Sequence, residues 1–529
     1  MSSPTHAASR PRLLLVGLIV AVSMTTIDQT IVSLAAPTIQ DSLSVDSDAL
    51  TWMVNAYLLA TAAAFPAAGR LADLRGYRPT MLVGVAVFGG ASIACALTPS
   101  GASAAAFMIA ARAVQGIGAA VMFAAAVGLV VATSSTERRA SSMALFFGFT
   151  GAMTALGPVL GSFLIEWSWR AIFLINVPLA VASAVIVATL APRGRTRREP
   201  FDAAGAVLAA LAMGCVVLAL QRGGDWGWTS TRILVCVGVG VAAAAGFVAV
   251  ERVVARPLVS LALFRSRAFS LAAVASLLGA AVFIPLMLFL SVYGQLALGR
   301  DLLSTSELLG EFFLGFLLAA QLGARLFERR GLRPVLALSG ALGSAGFVWS
   351  AHGAGVQGGI SPMMLLLSGA AVGFMFSPSA TAMVNHARGA TYGEVTALSQ
   401  TMKNLGGAIG MAALTSLSTR ILTSELTTAL TPLGAGDDQI DSIASAVTGM
   451  TADVEGLAPG VPPEVRLQIL ETVRDSYATA TAGVLLAMAA TMSVLLLLAF
   501  AYPRRQPGRL HAPVDGDPLE SPRSVRSSS

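Results

Sequence analysis

The chain has 529 residues, 55% of them hydrophobic and 12% charged, with a formal net charge of +6 and a mean hydropathy of +0.75. So few charges cannot clothe a soluble globule, so the composition excludes that class and indicates an integral membrane protein. The positive charge is arginine gathered between apolar stretches, which reads as a topology signal and not as nucleic-acid binding.

Apolar stretches of about 20 residues match a hydrocarbon core of about 30 Å. They predict fourteen spans, near 13–35, 51–70, 79–98, 104–131, 141–164, 170–191, 203–221, 232–253, 268–292, 305–326, 334–351, 362–384, 394–420 and 477–501. Arg70, Arg75 and Arg78, Arg138 and Arg139, Arg193 to Arg198, Arg252 to Arg267 and Arg325 to Arg333 follow even-numbered spans. By the retention of Lys and Arg inside, those loops and both termini are expected to be cytoplasmic. The tryptophans fall at the opposite ends, where an indole gains from the interface. Asp28 within the first span argues for an uncleaved helix over a signal peptide. Cys95, Cys215 and Cys236 are apolar-segment thiols too dispersed for a disulfide framework.

Asp28 stands in Thr26-Ile27-Asp28-Gln29-Thr30-Ile31-Val32-Ser33-Leu34-Ala35-Ala36-Pro37 of span 1. Burial in low dielectric disfavours the charged form of a carboxylate, so an acid here suits proton uptake and release. A helix–helix hydrogen bond is the plainer alternative. After span 2, Gly69-Arg70-Leu71-Ala72-Asp73-Leu74-Arg75-Gly76-Tyr77-Arg78-Pro79 reads as a charge cluster: Gly69 would let span 2 approach a neighbour, and Asp73 would face a helix N-terminus and nearby arginines. Arg75 and Arg78 complete a latch for one conformation. A solvated loop that only fixes topology is the other reading.

Span 4 carries Arg112-Ala113-Val114-Gln115-Gly116-Ile117-Gly118. An arginine near mid-membrane costs on the order of 3 kcal/mol, so it must face a partner or a wet cavity. It would act on a nearby carboxylate, hydrogen-bond across the bundle, or serve structure alone. Span 5 has Gly157-Pro158-Val159-Leu160-Gly161, continuing to Trp169-Arg170, Phe173, Asn176 and Pro178, a segment suited to close packing and pivoting.

Gly323 to Pro334, with Glu328 in place of Asp, repeats the first loop after span 10, which implies two six-helix halves. The resulting division is an N-terminal segment 1–12, a first half 13–198, two inserted helices in 199–256, and a second half 257–502. The second half includes an acidic extracytoplasmic loop at 421–476, with a helix starting near Pro463, and a disordered tail 503–529 follows. Glu311 in span 10 lies at a depth like that of Asp28, so the two could share a cavity from opposite halves and favour cations; Glu311 could equally be a hydrated helix-end acid. Lys403, the one lysine of the chain, lies in Ser399-Gln400-Thr401-Met402-Lys403-Asn404-Leu405-Gly406-Gly407-Ala408-Ile409-Gly410 of span 13. It would pair with an acid, meet an anionic substrate group, or snorkel. Asp28, Tyr57, Gln115, Glu311 and Lys403 are the candidate substrate-cavity residues, and Asp28, Arg112 and Glu311 the candidate proton-coupling residues.

These motifs resemble those of the major facilitator superfamily, and of its 14-spanner drug:proton antiporters in particular. Ser162 and Ser33 depart from the usual Gly and Asn. The resemblance implies an all-α membrane fold of two six-helix halves plus two inserted helices, alternating access, and conformational roles for Gly69, Asp73, Arg75, Gly76, Arg78, Gly157, Pro158 and Gly161. It implies proton-coupled export of hydrophobic, cationic or amphipathic small molecules from the cytoplasm of a bacterial cell, in the inner membrane. The expected partners are substrate, protons and lipid, with a monomer as the unit. Alternatives are a dedicated exporter of one endogenous metabolite, such as an antibiotic or siderophore, and a non-transporting membrane sensor.

Other chemistries lack their residues. Lys403 is followed by Asn404, so no phosphate-binding G-x-x-x-x-G-K-[ST] loop exists. His6, His352, His386 and His511 are dispersed, and no nucleophile triad or zinc motif stands out. The chain is therefore expected to be no enzyme, with no metal and no cofactor, driven by the proton gradient alone.

Overall fold

The computed structural model describes residues 5–135, 138–194, 200–254, 257–300, 302–355, 359–387, 391–431, 440 and 463–503. Among them every regular element is helical. The first half comprises α1 (Thr5–Leu43), α2 (Ser47–Arg75), α3 (Tyr77–Ala96), α4 (Ala104–Thr133), α5 (Arg139–Trp167), the short α6 (Ala171–Leu174) and α7 (Asn176–Leu190). Then come α8 (Ala203–Trp226) and α9 (Thr231–Val253). The second half comprises α10 (Arg267–Val292), α11 (Leu302–Arg330), α12 (Leu332–Ala354), α13 (Pro362–His386), α14 (Tyr392–Leu430) and α15 (Pro463–Ala501).

Thirteen of the described helical segments are long and apolar enough to cross a membrane. The remaining long helix, α5, has 29 residues and carries the apolar run Ser141–Thr150. Local chemistry sets the starts. Asp46 and Asp202 cap α2 and α8 by accepting from the backbone N–H groups of Ala49 and Gly205 at 2.7 and 2.8 Å, which satisfies donors that a first helical turn leaves open. The segment expected to be a loop from 421 is helical at both ends: α14 runs on to Leu430 and α15 starts at Pro463. Residues 441–462 and the expected tail from 504 lie outside the described residues.

Each half has its own apolar core. One centres on Leu18, Phe88, Met122 and Phe146, the other on Phe269, Phe312, Phe316, Phe347 and Met492. The halves interlock through α5 against α11 and α2 against α14. Helix α8 packs on α2 and α14; against α2, the Trp52 and Trp226 rings meet at a tilt with centroids 6.5 Å apart, and the Arg222 guanidinium lies 5.1 Å from the Trp52 ring. Helix α9 touches mainly α8 and leaves Leu234, Val235 and Val241 exposed, as a lipid-facing helix does.

Candidate functional site

The first half encloses a polar cluster. Asp28 on α1 is 1% exposed, and its Oδ2 lies 2.5 Å from Arg112 Nη1 on α4. The same Nη1 donates to Gln115 Oε1 at 2.6 Å, while Gln115 Nε2 donates to Asp28 Oδ1 at 2.8 Å and to Ser92 Oγ of α3 at 2.9 Å. Asn176, at the start of α7, donates from Nδ2 to Asp28 Oδ1 and to Ser92 Oγ, both at 3.3 Å. The Arg112 guanidinium also lies 4.4 Å from the Tyr57 ring centroid and 6.0 Å from that of Phe173, and its Nε donates to the Met53 carbonyl at 3.4 Å. Side chains of α4 and α7 thus donate to one carboxylate, with Ser92 of α3 tied in through Gln115 and Asn176, and a buried acid in an apolar bundle needs such partners.

Arg112 and Gln115 are three residues apart on one helix, so both project at the same target. Nη1 of the guanidinium serves the acid and the amide while Nε reaches the Met53 carbonyl, a spread of donors that the single nitrogen of a lysine ammonium cannot reproduce. Arg112→Ala leaves Asp28 charged and unpaired, and a buried pair broken this way costs about 3–5 kcal/mol. The expected result is loss of transport and a clearly lower melting temperature in detergent, with Arg112→Lys intermediate in both. Wild-type rate and stability in the alanine variant would remove Arg112 from the site.

A second site joins the halves at the arginine-rich end of the bundle. Asp73 Oδ1 accepts from the Gly393 backbone N–H at 2.9 Å and Oδ2 from the Glu394 N–H at 3.0 Å; the Thr391 hydroxyl also donates to Oδ2. The acid therefore caps the N-terminus of α14, in the opposite half, where unpaired N–H groups and the helix dipole favour an anion. Tyr77 donates to Oδ1 at 2.7 Å and fixes the carboxylate from its own side. Gly76 between α2 and α3 has φ +87°, a conformation that favours glycine.

The repeat in the second half places its acid near the start of α5 of the first half. Glu328 stands three residues before Gly331, which has φ +78°, as Asp73 stands before Gly76, and the backbone N–H of Ser141 in the first turn of α5 reaches the Glu328 carboxylate. Ser141 Oγ also meets Gln321 Oε1 at 3.2 Å. The contact is looser than that of Asp73: Glu328 is exposed, whereas Asp73 is buried among four donors. The arginines expected around Asp73 are elsewhere: Arg75 is exposed, and Arg78 donates to the Ala188 carbonyl of α7 in its own half. The buried cation here is Arg70, an electrostatic neighbour of Glu394. Asp73→Asn keeps the shape and removes the charge from the dipole, so turnover should fall about tenfold with substrate affinity changed less than about threefold. Initial rates beside equilibrium binding measure both; a large affinity loss at unchanged turnover would contradict the latch.

Gly157 on α5 is where α5 crosses α1: a Cβ there would sit 1.8 Å from Thr30 Oγ1. Gly161 is buried, while the Pro158 side chain lies outside the described ones. The continuation of that motif does more than pack helices. Trp169 donates to Ser42 Oγ at 2.9 Å, Phe173 flanks Arg112, and Asn176 reaches Asp28.

The structure does not gather all the cavity candidates. Asp28, Arg112, Gln115 and Tyr57 form one cluster, with Tyr57 fully buried and its hydroxyl 3.4 Å from the Thr25 carbonyl. Glu311, half-buried on α11, has Arg300 and Glu307 as its charged neighbours and does not join Asp28. The charged partner of Asp28 is Arg112 of its own half, and the two acids are not in contact with one another. Lys403 is 4% exposed and pairs with no acid among the described residues; its Nζ lies 3.9 Å from the Phe147 ring centroid and 4.1 Å from that of Phe376. Sequence reasoning missed Ser92, Gly393 and the two phenylalanines, because a serine, glycine or phenylalanine in an apolar span carries no signal until a partner helix is placed.

The family described as Major Facilitator Superfamily matches residues 18–411. The tetracenomycin C resistance and export protein of Streptomyces glaucescens is 33% identical over 410 residues, 77% of this chain and 75% of that relative. The multidrug resistance protein Stp of Mycobacterium tuberculosis is 31% identical over 421 residues, 76% of this chain and 75% of its own. Among solved structures, the human organic anion transporter MFSD10 superposes with a TM-score of 0.58 at 14% identity, covering 92% of this chain and 99% of that one. At that identity the likeness shows the fold alone.

Proposed function

We propose, since this chain belongs to the major facilitator superfamily and is a multi-pass membrane transporter and not an enzyme, that it exports hydrophobic, amphipathic small molecules in exchange for protons. The relatives are named for drug and antibiotic export, which supports the direction. The observation that carries the coupling is the buried Asp28–Arg112 pair with its amide partners. A proton arriving on Asp28 cancels half of the pair and frees Arg112 to relax; its departure restores the attraction. That gives two arrangements of the first half differing by one proton, as an antiporter needs.

The arginine-rich end is cytoplasmic in this reading, with both termini, and the contacts at Asp73 and Glu328 close that side. Substrate leaves outward from the closed-inside state. Proton entry then permits the halves to rock and reopen inward. One proton crossing roughly 150 mV supplies about 3.5 kcal/mol, which supports an export ratio of a few hundredfold. No cofactor enters the cycle. A cation preference, which a shared Asp28 and Glu311 would have given, has no support from their separate surroundings.

Inside-out vesicles test the reading: an imposed pH gradient should drive accumulation of a lipophilic dye, and adding dye to energised vesicles should release protons. Dye movement indifferent to the gradient would overturn proton coupling. Because two relatives are named for a single compound, a dedicated exporter is the second reading; it predicts that unrelated drugs fail to compete with one another.

A further inference from the structure

Lys403 lies eleven residues into α14 from Tyr392, about 16 Å along the axis and so near mid-membrane. Its Nζ is buried, has no hydrogen-bond partner among the described residues, and is held between the Phe147 ring of α5 and the Phe376 ring of α13. Those rings belong to different halves and touch edge to face at 5.8 Å. They sit within a longer aromatic band, with Phe123 at 6.3 Å from Phe147 on one side and Phe283 at 5.2 Å from Phe376 on the other.

Ring faces offset part of an ammonium's desolvation, but they accept none of its three N–H bonds well. Thr396 and Ser399 share the Lys403 face of α14 by their spacing, and their buried hydroxyls also have no hydrogen-bond partner among the described residues. The ammonium between two aromatic faces, with two unpartnered buried hydroxyls toward the start of the same helix face, forms a set of donors without an acceptor anion. Motion that separates the halves parts Phe147 from Phe376 and uncovers the ammonium.

We propose that Lys403, Thr396 and Ser399 form a recognition site for the oxyanion of a planar aromatic substrate, a hydrophobic aromatic carboxylate or phenolate, with Phe147 and Phe376 as its stacking faces. This names the substrate class of the exporter argued above and rests on that reading. The anion gives the ammonium the charge-assisted hydrogen bonds that the rings withhold, and the substrate ring replaces the contact between the two phenylalanines. Neutral amphiphiles keep the stacking and lose the charge term. Cations meet an ammonium of like sign.

The test uses purified full-length protein and three matched probes at pH 7: 2-naphthoate, its methyl ester and 2-naphthylmethylammonium, with binding followed by calorimetry. Wild type should bind the carboxylate about tenfold more tightly than the ester, and the ammonium most weakly. Lys403→Gln should bring carboxylate and ester within about threefold, and Lys403→Arg should keep most of the preference. Should Lys403→Gln fail to fold, Thr396→Val with Ser399→Ala decides: carboxylate affinity should drop about fivefold while ester affinity stays. No saturable carboxylate binding, equal affinities in wild type, or a preference that survives Lys403→Gln or the paired hydroxyl removal would overturn the site. Vesicle transport separates this from the broader reading. Charge preference without pH-driven movement of any probe defeats proton-coupled export and spares the site; pH-driven movement without the preference does the reverse.

Discussion

Asp28→Asn should abolish pH-driven export, with a loss of at least about 100-fold in the initial rate, while substrate still exchanges down its own gradient. The amide keeps the size of the carboxylate and cannot carry the proton. Its cost in the fold is foreseeable from the partners. Oδ1 already accepts from Gln115 and Asn176, so an asparagine oxygen would take that position and turn its NH2 toward Arg112. Donor then faces donor, and the guanidinium is left without its counter-charge. A lower melting temperature is therefore expected together with retained insertion, and Asp28→Glu, which restores the charge at a shifted position, should recover part of the coupled rate. Normal export driven by a pH gradient in the asparagine variant would sink the proton-carrier role.

The second large effect is expected at the contact between α2 and α14. A Cβ on Gly393 would sit 2.3 Å from the Gly69 carbonyl oxygen and 2.5 Å from Asp73 Oδ2; one on Gly69 would sit 2.4 Å from the Gly393 carbonyl oxygen. Both neighbours are backbone or a carboxylate fixed by four donors, so neither can swing aside. Gly393→Val should hold the halves apart at the arginine-rich end, lower turnover about 100-fold, and change binding affinity far less. A single cysteine introduced beside the contact should become more reactive to a polar maleimide in this variant. Gly69→Ala adds less bulk and should show the same defect in milder form. Wild-type turnover in Gly393→Val would mean that closure at this end does not limit the cycle.

The two sites explain why the motifs are divided as they are along the chain. Asp28 alone in an apolar helix would be an unpaired charge; the arginine that matches it comes from α4, and the amide from the start of α7. The tail of the glycine-proline motif, with Phe173 and Asn176, is thereby part of the surroundings of the coupling pair as well as of helix packing. Helix α5 meets both systems: Gly157 admits Thr30 two residues beyond Asp28 on α1, and its first turn receives Glu328 from the other half. A change in how α1 packs on α5 is in contact with both.

The class, the long apolar helices, the duplicated loop and the residues that carry charge inside the spans are all legible in the order of the amino acids. Those properties are local: hydrophobic length, arginine placement and a carboxylate's need for a partner are set by a residue and its neighbours in the chain. The partners of those residues follow from how the helices pack. Asp28 could have faced Glu311 across a cavity, and instead it is enclosed by Arg112, Gln115 and Asn176. Arg78, which reads as a neighbour of Asp73, turns back to α7, and the cap of Asp73 is a backbone more than 300 residues away in the chain. Lys403 finds two rings instead of an acid. Periodicity fixes which face a side chain takes on its own helix, but the helix placed against that face follows from how all the long helices pack together, and no span of twenty residues encodes that choice by itself.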